Sequence, residues 1–446
     1  MLKGTFNYTP PAALAGSARD YRHPRGPDLQ GRIEGFYKWQ NLRRQHGLWP
    51  FSRSTDESPS AITAVRDDAG GRFRGVNFAS EDSLNLSTHP AIKQVAHEVI
   101  EQFGLHSAGS AAMLGNTSHS VLLERKIADF LGADEALLFP TGWAAAYGVI
   151  KGLVRPADHV LIDALAHPSL KEGAAAATKN VYLYRHNSVE DCRRWLQTIR
   201  GKDAQNGVMV VTESLFSTDS DTPDLAAIQA LCEEFSATFL VDAAHDLGAL
   251  GPGGRGAIGA QGLEGKIDLV MGSFAKSFGS NGGFVACRNR EVKEYLRFFG
   301  PTCASSSALS PMQAAAVMKA FEIVESREGE SLREGLMANV DSLRRQLVEA
   351  GFEVHGEASS VVCVKIGVEG LGRLISRRLP EAGLIANLLE FPAVPKDQAR
   401  LRLQVMANHT EQNVADAVTA LKAAYLAGRE EFEWLSSERE KLRASG

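Results

Sequence analysis

Apolar residues along this chain fall into two rhythms. Short unbroken apolar runs occur at residues 135–139, 159–163, 180–184, 207–212, 237–242 and 267–271. They lack polar alternation, so they read as strands buried on both faces rather than strands with one wet side. Other stretches follow the helical repeat. After Pro90, which suits a first helical turn, Ile92, Val95, Val99, Ile100 and Phe103 recur at that spacing. Ser188-Val189-Glu190-Asp191 resembles a capping box and starts a helix after the third run. Strand-type runs alternating with helices predict an α/β fold with a mostly parallel sheet covered on both sides. In such sheets ligands collect outside the carboxyl ends of the strands.

The pattern changes from about residue 306. Helical segments over 312–325 and 331–350 are followed by strand-like stretches at 360–366 and 400–405, which predicts a smaller α+β domain at 306–446, with a charged helical tail over 430–443. Residues 1–75 mix Pro, Gly, Arg and Ser with the aromatic stretch Phe36-Tyr37-Lys38-Trp39, and read as an N-terminal arm that packs on something else. The large domain then occupies 76–305. A chain of 446 residues exceeds one ordinary core, which agrees with this division.

Composition narrows the partners. A net charge of -5 offers no basic field for nucleic acid. Cys192, Cys232, Cys287, Cys303 and Cys363 have no metal-type spacing and an odd count, so they read as reduced, buried thiols and no metal site is expected. The N-terminus lacks the apolar core of a signal peptide, and the most apolar stretch, 136–150, is broken by Pro140 and Gly142 and is too short to span a bilayer. A cytoplasmic location with no transmembrane segment is the expectation.

Candidate chemistry gathers at strand ends. Lys276 lies in Gly272-Ser273-Phe274-Ala275-Lys276-Ser277-Phe278-Gly279-Ser280-Asn281-Gly282-Gly283, between a strand and a glycine-rich loop where backbone can approach a phosphate. It is either a nucleophilic amine or a solvated loop charge. Asp242 ends a strand, where its carboxylate could hold a protonated ring nitrogen or cap a helix. Thr141-Gly142-Trp143 opens a helix and could offer N–H groups to a phosphate. His167 could stack on an aromatic ring or simply be a structural hydrogen-bonding residue.

Taken together and in order, these residues resemble the α-oxoamine synthases, a family of fold-type-I enzymes that use pyridoxal 5'-phosphate (PLP). The resemblance runs from about residue 76 to 425. It rests on Gly109-Ser110 with Leu114-Gly115, Thr141-Gly142-Trp143, Asp163 with His167 and Ser169, Glu213 with Phe216-Ser217, Asp242-Ala243-Ala244-His245, Gly251-Pro252 with Gly254-Arg255-Gly256, the Lys276 stretch, and Arg402. It implies a large domain with a seven-stranded, mostly parallel sheet, and these roles. Lys276 would be the Schiff-base lysine and would later move the substrate's α-proton. His167 would stack on the PLP ring, and Asp242 would pair with its nitrogen. Ser217 and His245 would contact the phenolic oxygen, and Ser273 would join Thr141, Gly142 and Trp143 at the phosphate. Arg402 would hold the amino-acid carboxylate. A homodimer is implied, with Ser305-Ser306-Ser307 reaching the partner's phosphate.

The family joins an amino acid to an acyl thioester with loss of carbon dioxide. Here His186-Asn187-Ser188-Val189-Glu190-Asp191 and Gly262-Leu263-Glu264-Gly265-Lys266-Ile267-Asp268 look closest to bacterial serine palmitoyltransferases, which favours serine or alanine with a long-chain acyl-CoA. Alanine with a pimeloyl thioester, as in 8-amino-7-oxononanoate synthase, glycine with a short acyl-CoA, and an acyl group on a carrier protein are the alternatives; a non-catalytic structural subunit of this fold would lack Lys276. Four positions depart from the family: Glu81-Asp82-Ser83-Leu84-Asn85 stands for its Asn-Tyr-x-Gly segment, Ala111 for an arginine, Pro168 for an alanine, and Asp246 for a serine or glycine.

Overall fold

A computed structural model describes residues 9–444, with side chains as far as residue 437; residues 1–8 of the expected arm lie outside the described residues. The chain divides into two units, one of residues 81–217 and 221–336, the other of residues up to 80, 218–220 and from 337 onward.

The first unit is built on the unbroken apolar runs. Strands β1 (Glu135–Phe139), β2 (His159–Asp163), β3 (Val181–Tyr184), β4 (Val208–Glu213), β5 (Thr238–Asp242), β6 (Leu269–Ser273) and β7 (Gly283–Cys287) form one sheet in the spatial order β1-β7-β6-β5-β4-β2-β3. The stretch β6-β5-β4-β2-β3 is parallel throughout. Strand β7 is antiparallel to both β6 and β1. Strand β1 therefore points the same way as the parallel five, and six carboxyl ends share one edge. Every residue of β2, β4 and β7 is buried, as runs without polar alternation require. The apolar pattern locates six of these strands. It passes over β7, which starts within the glycine run after Lys276.

Helices supply the covering layer. Ala145, Val149 and Ile150 of the helix Gly142–Leu153 and Leu170 and Ala174 of the helix Pro168–Ala177 pack with Val160 and Ile162 of the sheet. Each fully buried aliphatic side chain of this kind contributes about 1.5–3 kcal/mol. Gly173 lets these two helices meet, since a Cβ there would lie 3.1 Å from the Tyr147 Cα. The helices Pro311–Val324 and Arg327–Glu349 form where the spacing predicts them.

The second unit joins the chain's two ends. Val361–Gly367, Ala399–Gln404 and Asn387–Leu389 form an antiparallel sheet with Ala399–Gln404 in the centre. A hairpin of Ile62–Arg66 and Arg72–Asn77 is extended by Leu384–Ile385, parallel to Arg72–Asn77. The arm is more regular than its composition suggests, for Glu34–Gln45 is a helix. It buries Trp39 and Arg43, whose guanidinium stacks on the Trp39 and Trp49 rings at 4.5 and 5.1 Å. Arg43 and Arg373, 1% and 0% exposed, share the carboxylate of Glu390, and Arg373 also reaches Glu369. Two cations and two anions thus neutralise one another out of water, with Ser17 donating to Glu369 at 3.2 Å. The expected tail is the second half of one long helix, Glu411–Ala444. Gly428 does not break it. A Cβ there would come within 3.2 Å of the Ile375 amide, so the glycine marks a close helix crossing rather than an end.

Candidate active site

Five strand ends of the first unit and the turns that follow them bring most of the expected residues to one edge of the sheet. Asp163, Glu213, Asp242 and Ser273 are the last residues of β2, β4, β5 and β6. His167, Ser217, His245 and Lys276 follow within four residues of those ends, and Thr141-Gly142 follows β1.

At β1 the chain turns directly into the helix Gly142–Leu153. Thr141 caps it, its hydroxyl accepting the Ala144 N–H at 3.0 Å. The first N–H groups of a helix have no carbonyl one turn back, so those of Gly142 and Trp143 are available to a ligand. Ser273 sits against this helix start. A Cβ on Gly142 would lie 2.5 Å from the Ser273 Cβ and 2.7 Å from its hydroxyl. Backbone donors, a hydroxyl and the positive end of a helix therefore converge on one small space.

Lys276 is half-buried three residues beyond β6. Its loop closes through Gly279 N–H to the Lys276 carbonyl at 3.0 Å, and through Ser280 N–H to that of Phe274 at 3.0 Å. Gly279 has φ +61° and leaves no room for a Cβ against the Ser87 amide, 2.5 Å away, which explains the glycine after Phe278. The lysine faces two buried carboxyl groups. Burial pushes the Asp242 carboxyl up to about 6; Lys276 and the Ala244 N–H oppose this, and Asp246 reinforces it. Burial and Asp242 also raise the Glu213 carboxyl well above the ordinary range, against the His167 N–H and Lys276. Asp242 is not a helix cap here. Its Oδ1 accepts the Ala244 N–H at 2.9 Å within a turn.

His167 does two things at once. Its backbone N–H donates to Glu213 Oε1 at 2.6 Å, which ties β2's exit to β4's end. Its Nδ1 lies 2.6 Å from Ser169 Oγ and accepts the Ser169 N–H, and the residue is exposed. Pro168, where the resemblance expects alanine, occupies the first turn of the following helix, where a missing N–H costs nothing. Ser217 and His245 are half-buried in the turns after β4 and β5. Arg402 lies in the other unit, half-buried on the central strand Ala399–Gln404 opposite Cys363 and Asn387. Its neighbour Arg400 is buried and committed to Asp219 and the Thr218 carbonyl.

Beneath these residues lies support that the sequence motifs did not announce. His186 Nδ1 contacts Asp163 Oδ1 at 2.9 Å and its Nε2 contacts Asp221 Oδ2 at 2.9 Å. Burial alone would lower its pKa, but the bonds to both carboxylates outweigh this and raise it to about 10. The imidazolium thus clamps β2's end to the loop after Ser217. In the sequence His186 stands at the start of the stretch His186-Asn187-Ser188-Val189-Glu190-Asp191, which points there to substrate preference rather than to support of the site. The departure segment at 81–85 is likewise a local brace, since Asp82 accepts the N–H groups of Leu86 and Ser87 at 2.9 and 3.1 Å. Ser188 caps its helix by accepting the Asp191 N–H at 3.3 Å. The Asp191 carboxylate takes the Arg185 N–H instead of closing a reciprocal box. Arg255, within Gly254-Arg255-Gly256, bonds the Phe130 carbonyl and stacks on the Phe130 ring at 4.8 Å, a latch rather than a ligand group.

The chain is similar to known proteins in sequence and fold. The family model for class I and II aminotransferases matches residues 74–421. An 8-amino-7-oxononanoate synthase from Geotalea daltonii is 34% identical over 344 residues, which cover 77% of this chain and 87% of that protein. A serine palmitoyltransferase from Sphingobacterium spiritivorum is 31% identical over 390 residues, 87% and 95% of the two chains. Among solved structures, serine palmitoyltransferase from S. paucimobilis with bound PLP–myriocin matches with a TM-score of 0.84 at 27% identity, covering 90% of this chain and 99% of that one. The residues present fit PLP. A phosphate needs the donors gathered at Gly142, Trp143 and Ser273; a protonated ring nitrogen needs a buried anion such as Asp242; an aldehyde needs an amine in the position of Lys276.

Proposed function

Because this chain belongs to the α-oxoamine synthase family of PLP-dependent acyltransferases, we propose that it joins alanine to an acyl thioester whose far end carries a carboxylate, releasing carbon dioxide and the thiol. The product named by the relative at 34% identity supports this pair. In 8-amino-7-oxononanoate the terminal methyl and the amine-bearing carbon correspond to alanine, and the other seven carbons to a dicarboxylic acyl group. Serine with a long-chain acyl thioester is the second reading, favoured by the fold match to a serine palmitoyltransferase.

The observation that carries the synthase chemistry is the meeting of Lys276 with the buried Asp242 and Glu213 beside the helix start at Gly142. When bound, PLP supplies an electron sink for the carbanion left on the amino acid's α-carbon. The Lys276 Nζ would hold the cofactor and would remove and return a proton at the α-carbon. Asp242 accepts the ring N–H and keeps that nitrogen protonated. His167 would stack on the cofactor ring and help hold it. Ser217 and His245 donate to the phenolic oxygen, while the N–H groups of Gly142 and Trp143, the Ser273 hydroxyl and Thr141 hold the phosphate. Arg402 binds the amino-acid carboxylate until it leaves as carbon dioxide.

We also propose a homodimer. Leu105, Met113 and Leu114 of the first unit are 69%, 83% and 87% exposed, an apolar surface that a second copy would cover. Among the described residues no helix is long and apolar enough to cross a membrane. The test of substrate choice pairs alanine, serine and glycine with pimeloyl and palmitoyl groups, each on CoA and on a carrier protein. Mass spectrometry follows the ketoamine. Turnover of alanine with the pimeloyl group supports the first reading. Turnover only of serine with the palmitoyl group replaces it with the second.

A further inference from the structure

Asp246 stands where the family resemblance leads one to expect serine or glycine, and the surroundings are built to hold a carboxylate. The side chain is 2% exposed. Its Oδ1 accepts the Ser214 hydroxyl at 2.6 Å, and its Oδ2 accepts the Ala257 N–H at 2.8 Å. Gly256 is fitted to it, for a Cβ there would come within 2.4 Å of Oδ2, and its φ of +60° suits glycine. Ser214 also fixes the backbone that carries Asp242, since its N–H donates to the Asp242 main-chain carbonyl at 2.8 Å. Asp246 therefore ties together the end of β4, the turn after β5 and the loop 251–257. One turn of chain separates it from Asp242.

We propose that Asp246 is a positioning residue for the cofactor's ring nitrogen: it braces Asp242 from below and makes the floor a two-carboxylate unit that binds a proton more tightly than Asp242 alone. The groups facing Asp242 are Lys276 from the loop after β6, Glu213 from the end of β4 and Asp246 from its own turn. Lys276 is the amine among them. Asp246 then adds negative potential beneath Asp242, so the proton shared between Asp242 and the ring nitrogen is released at higher pH. Burial likewise pushes the Asp246 carboxyl up to about 6, against its bonds to Ala257 and Ser214. Near neutral pH its charge is thus present but costly, which is the condition for strong coupling to a neighbour. This inference rests on the PLP assignment and not on the choice of substrates.

The experiment uses the full chain loaded with PLP labelled with nitrogen-15 in its ring, and follows the ring-nitrogen shift against pH. Asp246→Asn removes the charge but keeps both contacts, because its carbonyl oxygen can accept the Ala257 N–H while the Ser214 hydroxyl rotates to accept from the amide. The expected midpoint falls by about one pH unit relative to wild type. Asp246→Ser, the residue the resemblance expects, should move the midpoint the same way and weaken PLP binding by about tenfold as the brace is lost. It also serves if the asparagine variant fails to fold. Thermal unfolding of each loaded variant shows whether the fold is kept. Midpoints equal to wild type in folded variants, or shifted upward, overturn the proposal. Failure of wild type to bind PLP would instead strike at the cofactor assignment.

Discussion

Closing the space at the start of the helix Gly142–Leu153 tests the phosphate site by geometry. In Gly142→Ala the new Cβ would meet Ser273 at 2.5 Å from its Cβ, 2.7 Å from its hydroxyl and 3.2 Å from its Cα. Because the Ser273 Cβ is the nearest atom and does not move when the side chain rotates, no serine rotamer relieves the clash, so strand end and helix start must separate. Alanine favours a helix by about 0.8–1 kcal/mol over glycine, so the substitution should not weaken the helix itself. The loss falls on the ligand. A phosphate that forfeits one charge-assisted hydrogen bond loses about 1.5–3 kcal/mol, which is about 10- to 150-fold in PLP affinity. Equilibrium dialysis of PLP against wild type, Gly142→Ala, Ser273→Ala and the double variant Gly142→Ala/Ser273→Gly measures this. The double variant restores space without the hydroxyl and should recover to the level of Ser273→Ala. A Gly142→Ala protein that binds PLP within twofold of wild type would refute the placement of the phosphate.

Three further outcomes are expected. Arg373→Ala leaves Glu390 and Glu369 short of a buried cation and should cost about 3–5 kcal/mol of stability in urea unfolding; a change under 1 kcal/mol would show that water reaches this cluster. His186 has a folded pKa raised to about 10, so its stabilising contribution is complete below the unfolded value of about 6.5 and is lost as pH rises through 10. The urea midpoint of wild type should therefore decline between those limits more steeply than that of His186→Gln, and parallel curves would contradict the clamp. Lys276→Ala should keep its fold but lose ketoamine formation by at least a thousandfold, measured by product mass spectrometry.

Much of this architecture was legible because buried parallel strands leave an unmistakable trace. Residues 160–162 and 208–211 are apolar without interruption, and each lies in a fully buried strand. Strand β7 was not legible, because Gly279, Gly282 and its own first residue Gly283 mark the stretch as loop. The arm misled through composition: Phe36, Trp39 and Leu42 have helical spacing, but the surrounding Pro, Gly and Arg obscure it until Arg43 is seen paired with Glu390. At the site, Lys276, Asp242, His167 and Gly142 could be located from their positions after strands. The neighbours that set their chemistry could not. Asp246 and Ser214, or His186 and Asp221, meet only after the chain has crossed between strands, and no spacing along the sequence records those meetings. Substrate preference is hidden for the same reason. The family motifs describe the floor of the site, whereas His186-Asn187 and similar stretches pointed to long acyl chains from outside it. The relative that matches at 34% identity points instead to alanine and a dicarboxylic acyl group.

The most direct test of decarboxylative condensation at Lys276 is a balance of products. The PLP-loaded protein is given alanine labelled at its carboxyl carbon together with pimeloyl thioester, and labelled carbon dioxide, free thiol and ketoamine are counted in the same reaction. One of each per turnover, with none from Lys276→Ala, is the predicted result. Pyruvate with the label retained and no thiol released would show transamination instead, and would contradict the account.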